Sequence, residues 1–331
     1  MFHTILFTVL GYLITTITTA PVSSGPKFPN PENCTGNCSG VHDPSVIKKD
    51  GVYYRFSTSG NIAIATAPSL TGPWDYKGPL LEHGTSIDLF PDQDIWAPSV
   101  NKIDNTYYVY YSVSKMWSAK SQLGVATSPS LDPGTWHDHG SMRFPSYSGY
   151  NLIDPNLLMD GTEAYFTFGS WRDDIIQTQL TGDFTLFSDW PMYNIINNST
   201  VGANVTEGAF QFKWEDHYYV FFSQGECCRL EHNPPNPGDE YKIMVCRADH
   251  IWGEYRDADG KSCRTESGGT LVLAGHDDVV YPGGQGVMID EGSLNPVMYY
   301  HYVDPRIGYE AEKFQFGFNY LDFSSGWPVV V

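Results

Sequence analysis

The sequence predicts an all-β fold, a five-bladed β-propeller, and three observations carry that prediction. One unit recurs five times: a polar or small head, a short apolar strand, a tight turn and an alternating aromatic strand. The unit heads fall at 43, 97, 154, 207 and 285, so the first three steps are 54, 57 and 53 residues. A period of that size built of short strands marks one four-stranded blade per repeat. Composition agrees, because 15% aromatics with 32 Gly and 22 Pro suit strands and turns. No window downstream of the N-terminus keeps the 3.6-residue period of an amphipathic helix.

The units follow in order. His42-Asp43-Pro44 leads through an Asp50-Gly51 turn to Tyr53–Ser57, and Trp96-Ala97-Pro98 through Asp104-Asn105 to Tyr107–Ser112. Ile153-Asp154-Pro155 leads through Asp160-Gly161 to Tyr165–Phe168. Glu207-Gly208-Ala209 leads through Glu215-Asp216 to Tyr218–Ser223, and Gly284-Gln285-Gly286 through a longer turn to Met298–Tyr302. Asp-Gly between two hydrophobic runs is a strong hairpin signal because both residues tolerate positive φ. The second halves also match: Ile62–Leu70 with Trp74 resembles Leu123–Leu131 with Trp136, both tryptophans following Gly/Pro turns and reading as blade packing. Residues 141–150 form an aromatic loop expected on the Asp154 face, and the chain closes in a strand pair, Phe314–Phe318 and Tyr320–Phe323. Residues 40–331 thus read as one domain, preceded by a Pro/Ser/Gly-rich leader over 21–39.

Residues 1–20 are apolar, too short to span a bilayer, and end in Thr-Thr-Ala before Pro21. They read as a cleaved secretory signal peptide, with a membrane anchor as the alternative. Sequons at Asn33, Asn37, Asn197, Asn198 and Asn204 and six cysteines fit a secreted, extracellular glycoprotein. Cys34 with Cys38, adjacent Cys227 with Cys228, and Cys246 with Cys263 is one pairing among the 15 that six cysteines allow. A net charge of −19 without a basic stripe excludes nucleic acid as a partner and favours a neutral substrate. Nothing after the N-terminus could span a membrane, and the chain reads as a monomer with no organic cofactor.

In a propeller the first strand of each blade lines the axis, so the heads converge on one funnel. Three of them are acids: Asp43, Asp154 and Glu207. Hydrolysis of a glycosidic bond needs one carboxylic acid to protonate the leaving oxygen and one carboxylate to activate water or attack. A third carboxylate beside the acid raises its pKa by like-charge repulsion. Asp-Pro is also an ordinary turn opener, which is the bland reading of Asp43 and Asp154. Glu207 has no such turn-capping role. Trp96, at the funnel mouth, reads either as a stacking platform for a sugar or as blade core. His301 reads as lying on the innermost strand of the last blade.

Three motifs, His42-Asp43-Pro44, Asn151-Leu152-Ile153-Asp154-Pro155-Asn156 and Thr206-Glu207-Gly208, together with Trp96-Ala97-Pro98, resemble those of glycoside hydrolase family 43. Within it the chain is most similar to fungal-type endo-1,5-α-L-arabinanases. That likeness rests on Asn151, Gly225-Glu226-Cys227-Cys228, Gly283-Gly284-Gln285-Gly286, Tyr300-His301-Tyr302 and Phe323–Val329. The resemblance implies an inverting hydrolase of arabinan, a neutral plant cell-wall polysaccharide, with Asp43 as general base and Glu207 as general acid. Asp154 would raise the pKa of Glu207 and orient it. It further implies sugar contacts at Asn151, Ser170, Trp171 and Gly124, a contact from His42, and a hydrated Ca2+ at the axis held by His301. The alternatives are an exo-acting arabinofuranosidase or β-xylosidase on the same fold, or a propeller that binds sugar without cutting it.

Overall fold

The computed structural model describes residues 27–146, 148–198, 205–228, 230 and 232–331. The signal-peptide reading of 1–20 and the sequon at Asn204 lie outside them. Five four-stranded antiparallel sheets follow one another along the chain. Blade one is β1 (Ser45–Lys49), β2 (Val52–Ser57), β3 (Ala63–Ala67) and β4 (Asp75–Pro79). Blade two is β5 (Asp94–Ile103), β6 (Thr106–Ser114), β7 (Gln122–Ser128) and β8 (His137–Ser141). Blade three is β9 (Asn156–Asp160), β10 (Glu163–Phe168), β11 (Ile175–Gln179) and β12 (Tyr193–Ile196). Blade four is β13 (Thr206–Trp214), β14 (His217–Gln224), β15 (Lys242–Ala248) and β16 (Thr270–Leu273). Blade five is β17 (Val280–Asp290), β18 (Asn295–Val303), β19 (Gln315–Asp322) and β20 (Val329–Val330). First strands touch first strands around the axis, as β1 does β5 and β17.

The hairpin turns are close to the sequence expectation. Asp50 and Gly51 both take positive φ between the paired residues Lys49 and Val52. In blade three the turn is shifted by one: Asp160 pairs with Glu163, so Gly161 and Thr162 are the turn residues and Gly161 alone takes positive φ. The expected closing strand pair is instead one strand, β19, because all of 315–322 stays hydrogen-bonded to β18 or β20.

The core is divided among the seams between blades. Phe56, Tyr111 and Leu131 fill the first seam, Tyr110 and Phe166 the second, Ile175 and Tyr255 the third, Phe221 and Tyr300 the fourth, and Trp74 and Phe316 the fifth. Alternation explains this: each blade's aromatic second strand sends successive side chains to opposite seams. Trp74 and Trp136 pack as expected, Trp136 edge-on to Phe56. The aromatic loop before Asp154 tucks Phe144 and Tyr150 against Phe168.

Among the described residues no strand is exchanged between the first and last blades. The described part of the leader closes the ring instead. Glu32, Val41 and Phe316 make backbone bonds between leader and blade five, while Thr35, Asn37 and Trp74 make them between leader and blade one. The Cys34–Cys38 disulfide stiffens this clasp. Arg55, buried between the rings of Trp74 and Phe316, donates from Nη2 to the Asn37 carbonyl at 2.7 Å. The leader is therefore a structural element rather than a loose lead-in. Asn33 and Asn37 are exposed on it, whereas Asn198 is buried. The other two disulfides are Cys227–Cys228 and Cys246–Cys263, the pairing raised from the sequence. Among the described residues no helix is long and apolar enough to cross a membrane.

Gly36 fits the clasp because it has no side chain. Its φ is +80°, and a Cβ there would lie 2.3 Å from the Trp74 carbonyl oxygen. Gly36→Ala should lower unfolding free energy by about 2–3 kcal/mol in urea denaturation. A change below about 0.5 kcal/mol, the ordinary surface range, would mean that the clasp adds little to closure.

Candidate active site

One backbone feature repeats five times and builds the funnel. Asp43, Ala97, Asp154, Gly208 and Gly284 have φ of 44°, 47°, 57°, 61° and 56°. Each is a left-handed kink just before or within the first strand of its blade, and all five kink residues line the axial cavity. Each kink N–H is accepted by a side chain from the preceding blade. Ala97 donates to Thr58 Oγ1, Asp154 to Ser112 Oγ, Gly284 to Ser223 Oγ and Asp43 to His301 Nδ1. Those acceptors occupy one repeat position, opposite the residue before the kink: Ser112 pairs with Trp96, Ser223 with Glu207 and His301 with Gly283, while the Thr58 N–H bonds the His42 carbonyl.

Blade three departs from this ring. Its residue at that position is Gly169, whose N–H bonds the Ile153 carbonyl and which offers no side chain. The Gly208 N–H turns instead to Asp154 Oδ2 at 2.9 Å. The next residue, Ser170, donates from Oγ to Glu207 Oε2 at 2.6 Å. Tyr241 donates from its hydroxyl to Glu207 Oε1 at 2.9 Å, so both oxygens of the glutamate are held. The repeat register is therefore 43, 97, 154, 208 and 284. Glu207 sits one place before the kink, equivalent to His42 and Trp96, and is not equivalent to Asp43 and Asp154 as its numbering suggested.

The three acids meet, in contrasting surroundings. Burial alone would raise the Asp43 pKa, but the His42 ring at 2.8 Å and the Thr58 hydroxyl at 3.1 Å hold it down at about 2. Burial raises Glu207, and the Asp43 charge adds to this against the lowering bonds from Ser170 and Tyr241. Burial also raises Asp154 well above the carboxylate range, with the charges of Glu207 and Asp43 behind it. Two buried carboxylates that sense each other do not both ionise, so Asp154 and Glu207 share a proton at a pH where Asp43 is charged. Asp43 and Asp154 line a small axial cavity of about 40 Å³ with Pro44, Ser99, Pro155 and Gln285 among others.

The remaining expected residues divide. His42 stacks on His301 with ring centroids 4.1 Å apart and bonds Asp43, so it braces that carboxylate. His301 lies on β18, the second strand rather than the innermost, and reaches inward. Burial and the His42 charge push its pKa down to about 3, so it is neutral. Its Nδ1 accepts from Asp43, and its Nε2 is buried without a partner. Among the described residues, His42, Asp43 and His301 are the group whose ligand atoms gather closely enough to hold a metal ion. Asn151 donates from Nδ2 to the Ser170 carbonyl at 2.7 Å and keeps a buried, unpartnered Oδ1, an acceptor free for a hydroxyl. Trp171 is 48% exposed on the β10–β11 connection, and Trp96 is half-buried. Gly124 is not at the site. It is buried in β7 under the Tyr111 ring, where a Cβ would meet ring carbon at 2.3 Å, so its role is packing.

Tyr241, Thr58, Ser112, Ser223 and Asp174 were not foreseen. Four had a signal available. Ser112 and Ser223 end aromatic strands at the same repeat position and Thr58 follows one. The Gly283-Gly284 pair implied something pressed against it, since a Cβ on Gly283 would lie 1.9 Å from the Tyr241 ring. Asp174, a carboxylate buried beside the site residues of blade three, had none. It accepts the Asn198 N–H at 2.7 Å, and burial pushes it up to about 7.

An unfolded aspartate titrates near about 3.9. Below that pH Asp174 is protonated in both states and its contribution is whole. As pH rises towards 7 the unfolded chain releases a proton that the fold retains, and stability falls. Asp174→Asn should flatten the decline of unfolding free energy between about pH 4 and 7. An unaltered slope would show that Asp174 is ionised in the folded protein.

Residues 38–328 match the family model for Glycosyl hydrolases family 43. The chain is 46% identical over 325 residues to arabinan endo-1,5-alpha-L-arabinosidase A of Aspergillus aculeatus, covering 96% of this chain and 100% of that protein. The probable arabinan endo-1,5-alpha-L-arabinosidase A of Aspergillus clavatus is 47% identical over 307 residues, covering 92% and 94%. Among solved structures, the GH43 endo-arabinanase of Bacillus licheniformis superposes with a TM-score of 0.76 at 27% identity, covering 90% and 99%. An exo-1,5-alpha-L-arabinanase from a bovine ruminal metagenomic library does so with a TM-score of 0.76 at 26% identity, covering 88% and 96%. With the acids, the kinks and the axial cavity in place, the chain belongs to glycoside hydrolase family 43.

Proposed function

We propose that this protein is an endo-1,5-α-L-arabinanase that cleaves internal links of arabinan with inversion at the anomeric carbon. The observation that carries the reading is the contrast between two carboxylates: Asp43 is held low by His42 and Thr58, while burial raises Glu207. Asp43 is the general base: charged from about pH 2 upward, it takes a proton from the attacking water. Glu207 is the general acid: its raised pKa keeps the proton that the leaving oxygen receives. Asp154 fixes the Gly208 backbone beside that acid, and the two carboxyls share a proton. Asn151 and Trp171 supply an acceptor and an exposed ring for the furanose chain. The near-complete coverage of the Aspergillus relatives, whose names give endo-1,5 action on arabinan, supports endo action.

His301 fits a hydrated calcium ion, since Nε2 is a buried ligand atom that no protein group satisfies. Binding through Nε2 requires the tautomer with Nδ1 protonated, which exchanges the bond accepted from the Asp43 N–H for one donated to Asp43 Oδ1, 3.5 Å away. The ion would supply positive charge that favours the ionised form of nearby Asp43. His42 and Asp43 complete the group of side chains around it.

Debranched linear arabinan digested over time and followed by proton NMR tests the activity. Early oligosaccharides bearing the inverted anomer are expected. Monomer alone from the start would point to exo action, retained anomers would make Asp43 a nucleophile, and binding without cleavage would make the protein a lectin. Glu207→Gln should lower kcat by about 10³-fold or more with binding intact, and unchanged turnover would remove Glu207 from the acid role.

The pH profile should be a bell. Its acidic limb follows Asp43, and its alkaline limb follows Glu207 above the usual carboxylate range. Tyr241→Phe deletes a donor that stabilises the ionised glutamate, so the alkaline limb should move to higher pH. A limb that stays in place would show that this bond does not set the acid's protonation.

A further inference from the structure

Cys227 and Cys228 are joined to each other although they are neighbours in sequence. A disulfide stabilises a fold chiefly by closing a loop in the unfolded chain, more so as the loop lengthens. This one encloses no intervening residue, so its effect is confined to the path of the chain where it lies. That place is specific. Strand β14 ends on the funnel side, where Ser223 pairs with Glu207. The two residues that follow are fastened to those just ahead of β15. The Glu226 N–H donates to the Asp239 carbonyl at 2.8 Å, and residues 226 and 240 form a parallel bridge. Gly225 presses so closely there that a Cβ would lie 2.5 Å from the Glu240 carbonyl oxygen. Cys227 leaves this fastening on one side and Tyr241 on the other, with the Tyr241 hydroxyl on Glu207 Oε1. Cys227 and Cys228 are half-buried and within reach of a reductant, whereas Cys246 and Cys263 are fully buried.

We propose that the Cys227–Cys228 disulfide is a positioning element for the reaction: it holds the junction of residues 225–226 with 239–240, and through that junction the Tyr241 hydroxyl on Glu207. This rests on the reading of Glu207 as the acid. Reduction by a dithiol breaks the S–S bond, leaves a thiol on each cysteine and closes the reductant into its own disulfide, with two electrons and two protons transferred. The junction then loses its rigid shoulder, Tyr241 shifts, and the glutamate loses one of two donors.

The test is the Cys227→Ala/Cys228→Ala double variant on linear arabinan, with Glu207→Gln beside it. A fall in kcat of about tenfold is expected, with KM within about twofold and the alkaline limb moved to higher pH. In a Tyr241→Phe background the cysteine replacements should have little further effect, as two changes on one path are not additive. Unchanged kcat and pH profile, with Glu207→Gln inactive, would overturn the proposal and leave the acid assignment standing. Full activity of Glu207→Gln would remove both. If the variant does not fold, the wild-type enzyme is treated with dithiothreitol and its freed thiols are mapped by alkylation and mass spectrometry, with Cys34→Ala/Cys38→Ala as the control for the other accessible bridge. Loss of kcat in step with labelling at 227 and 228 is expected, and labelling there with activity intact overturns the proposal.

Discussion

The structure depends on a ring of five hydrogen bonds around its axis. Each blade opens with one left-handed residue, and each such kink needs its amide N–H satisfied in a place that water does not readily reach. A buried unpaired amide costs about 1–3 kcal/mol, so an acceptor has to come from the blade before. Thr58, Ser112, Ser223 and His301 are four of those acceptors, and the Asp154 carboxylate is the fifth. The bonds fix the rotation of each blade about the axis relative to the last, which the greasy seams between blades, being nondirectional, do not. Non-glycine residues at three of the kinks add backbone strain of about 1–2 kcal/mol each, which the ring offsets.

The catalytic site arises where that ring is interrupted. With glycine at 169, the amide of Gly208 takes the carboxylate of Asp154 in place of a hydroxyl, and the displaced hydroxyl function reappears one residue later on Glu207. The same five-fold scaffold thus sets one acid, Asp43, where imidazole and hydroxyl neighbours favour charge. It sets the other two acids where burial and mutual repulsion favour a proton. The difference between the two environments comes from neighbours contributed by blades one and five in one case, and three and four in the other.

Much of this was legible in the sequence. Five units with heads near Asp43, Ala97, Asp154, Glu207 and Gln285 are a strong periodic signal, because alternating aromatic strands and Asp-Gly turns report backbone geometry directly. The acids were legible for the same reason. What the sequence does not carry is register at the level of one residue: Glu207 and Gln285 were each set one place off the kink, because φ leaves no mark on the chain when Asp, Ala and Gly all serve. Gly124 looked like a sugar contact by resemblance, yet its small size answers to the Tyr111 ring. Tyr241 was hidden because its partner lies across a long irregular loop. Asp174 was hidden because a single buried aspartate has no spacing to betray it.

The clasp has a consequence for how the chain is made. Within each blade, strands pair with their sequence neighbours, so a blade finds its partners soon after it leaves the ribosome. The leader is different. Ser39 meets Gln315, 276 residues away, and Asn30 meets Asn319. The small cross-linked loop at Cys34–Cys38 is therefore synthesised early, and its docking surface on β19 comes almost last. Until then blade one and the leader have no fifth-blade neighbour, and the buried Arg55 has no Phe316 to lie against. Vectorial synthesis leaves the His301–Asp43 bond for the final closure, so the nascent chain becomes a hydrolase only when its two ends meet.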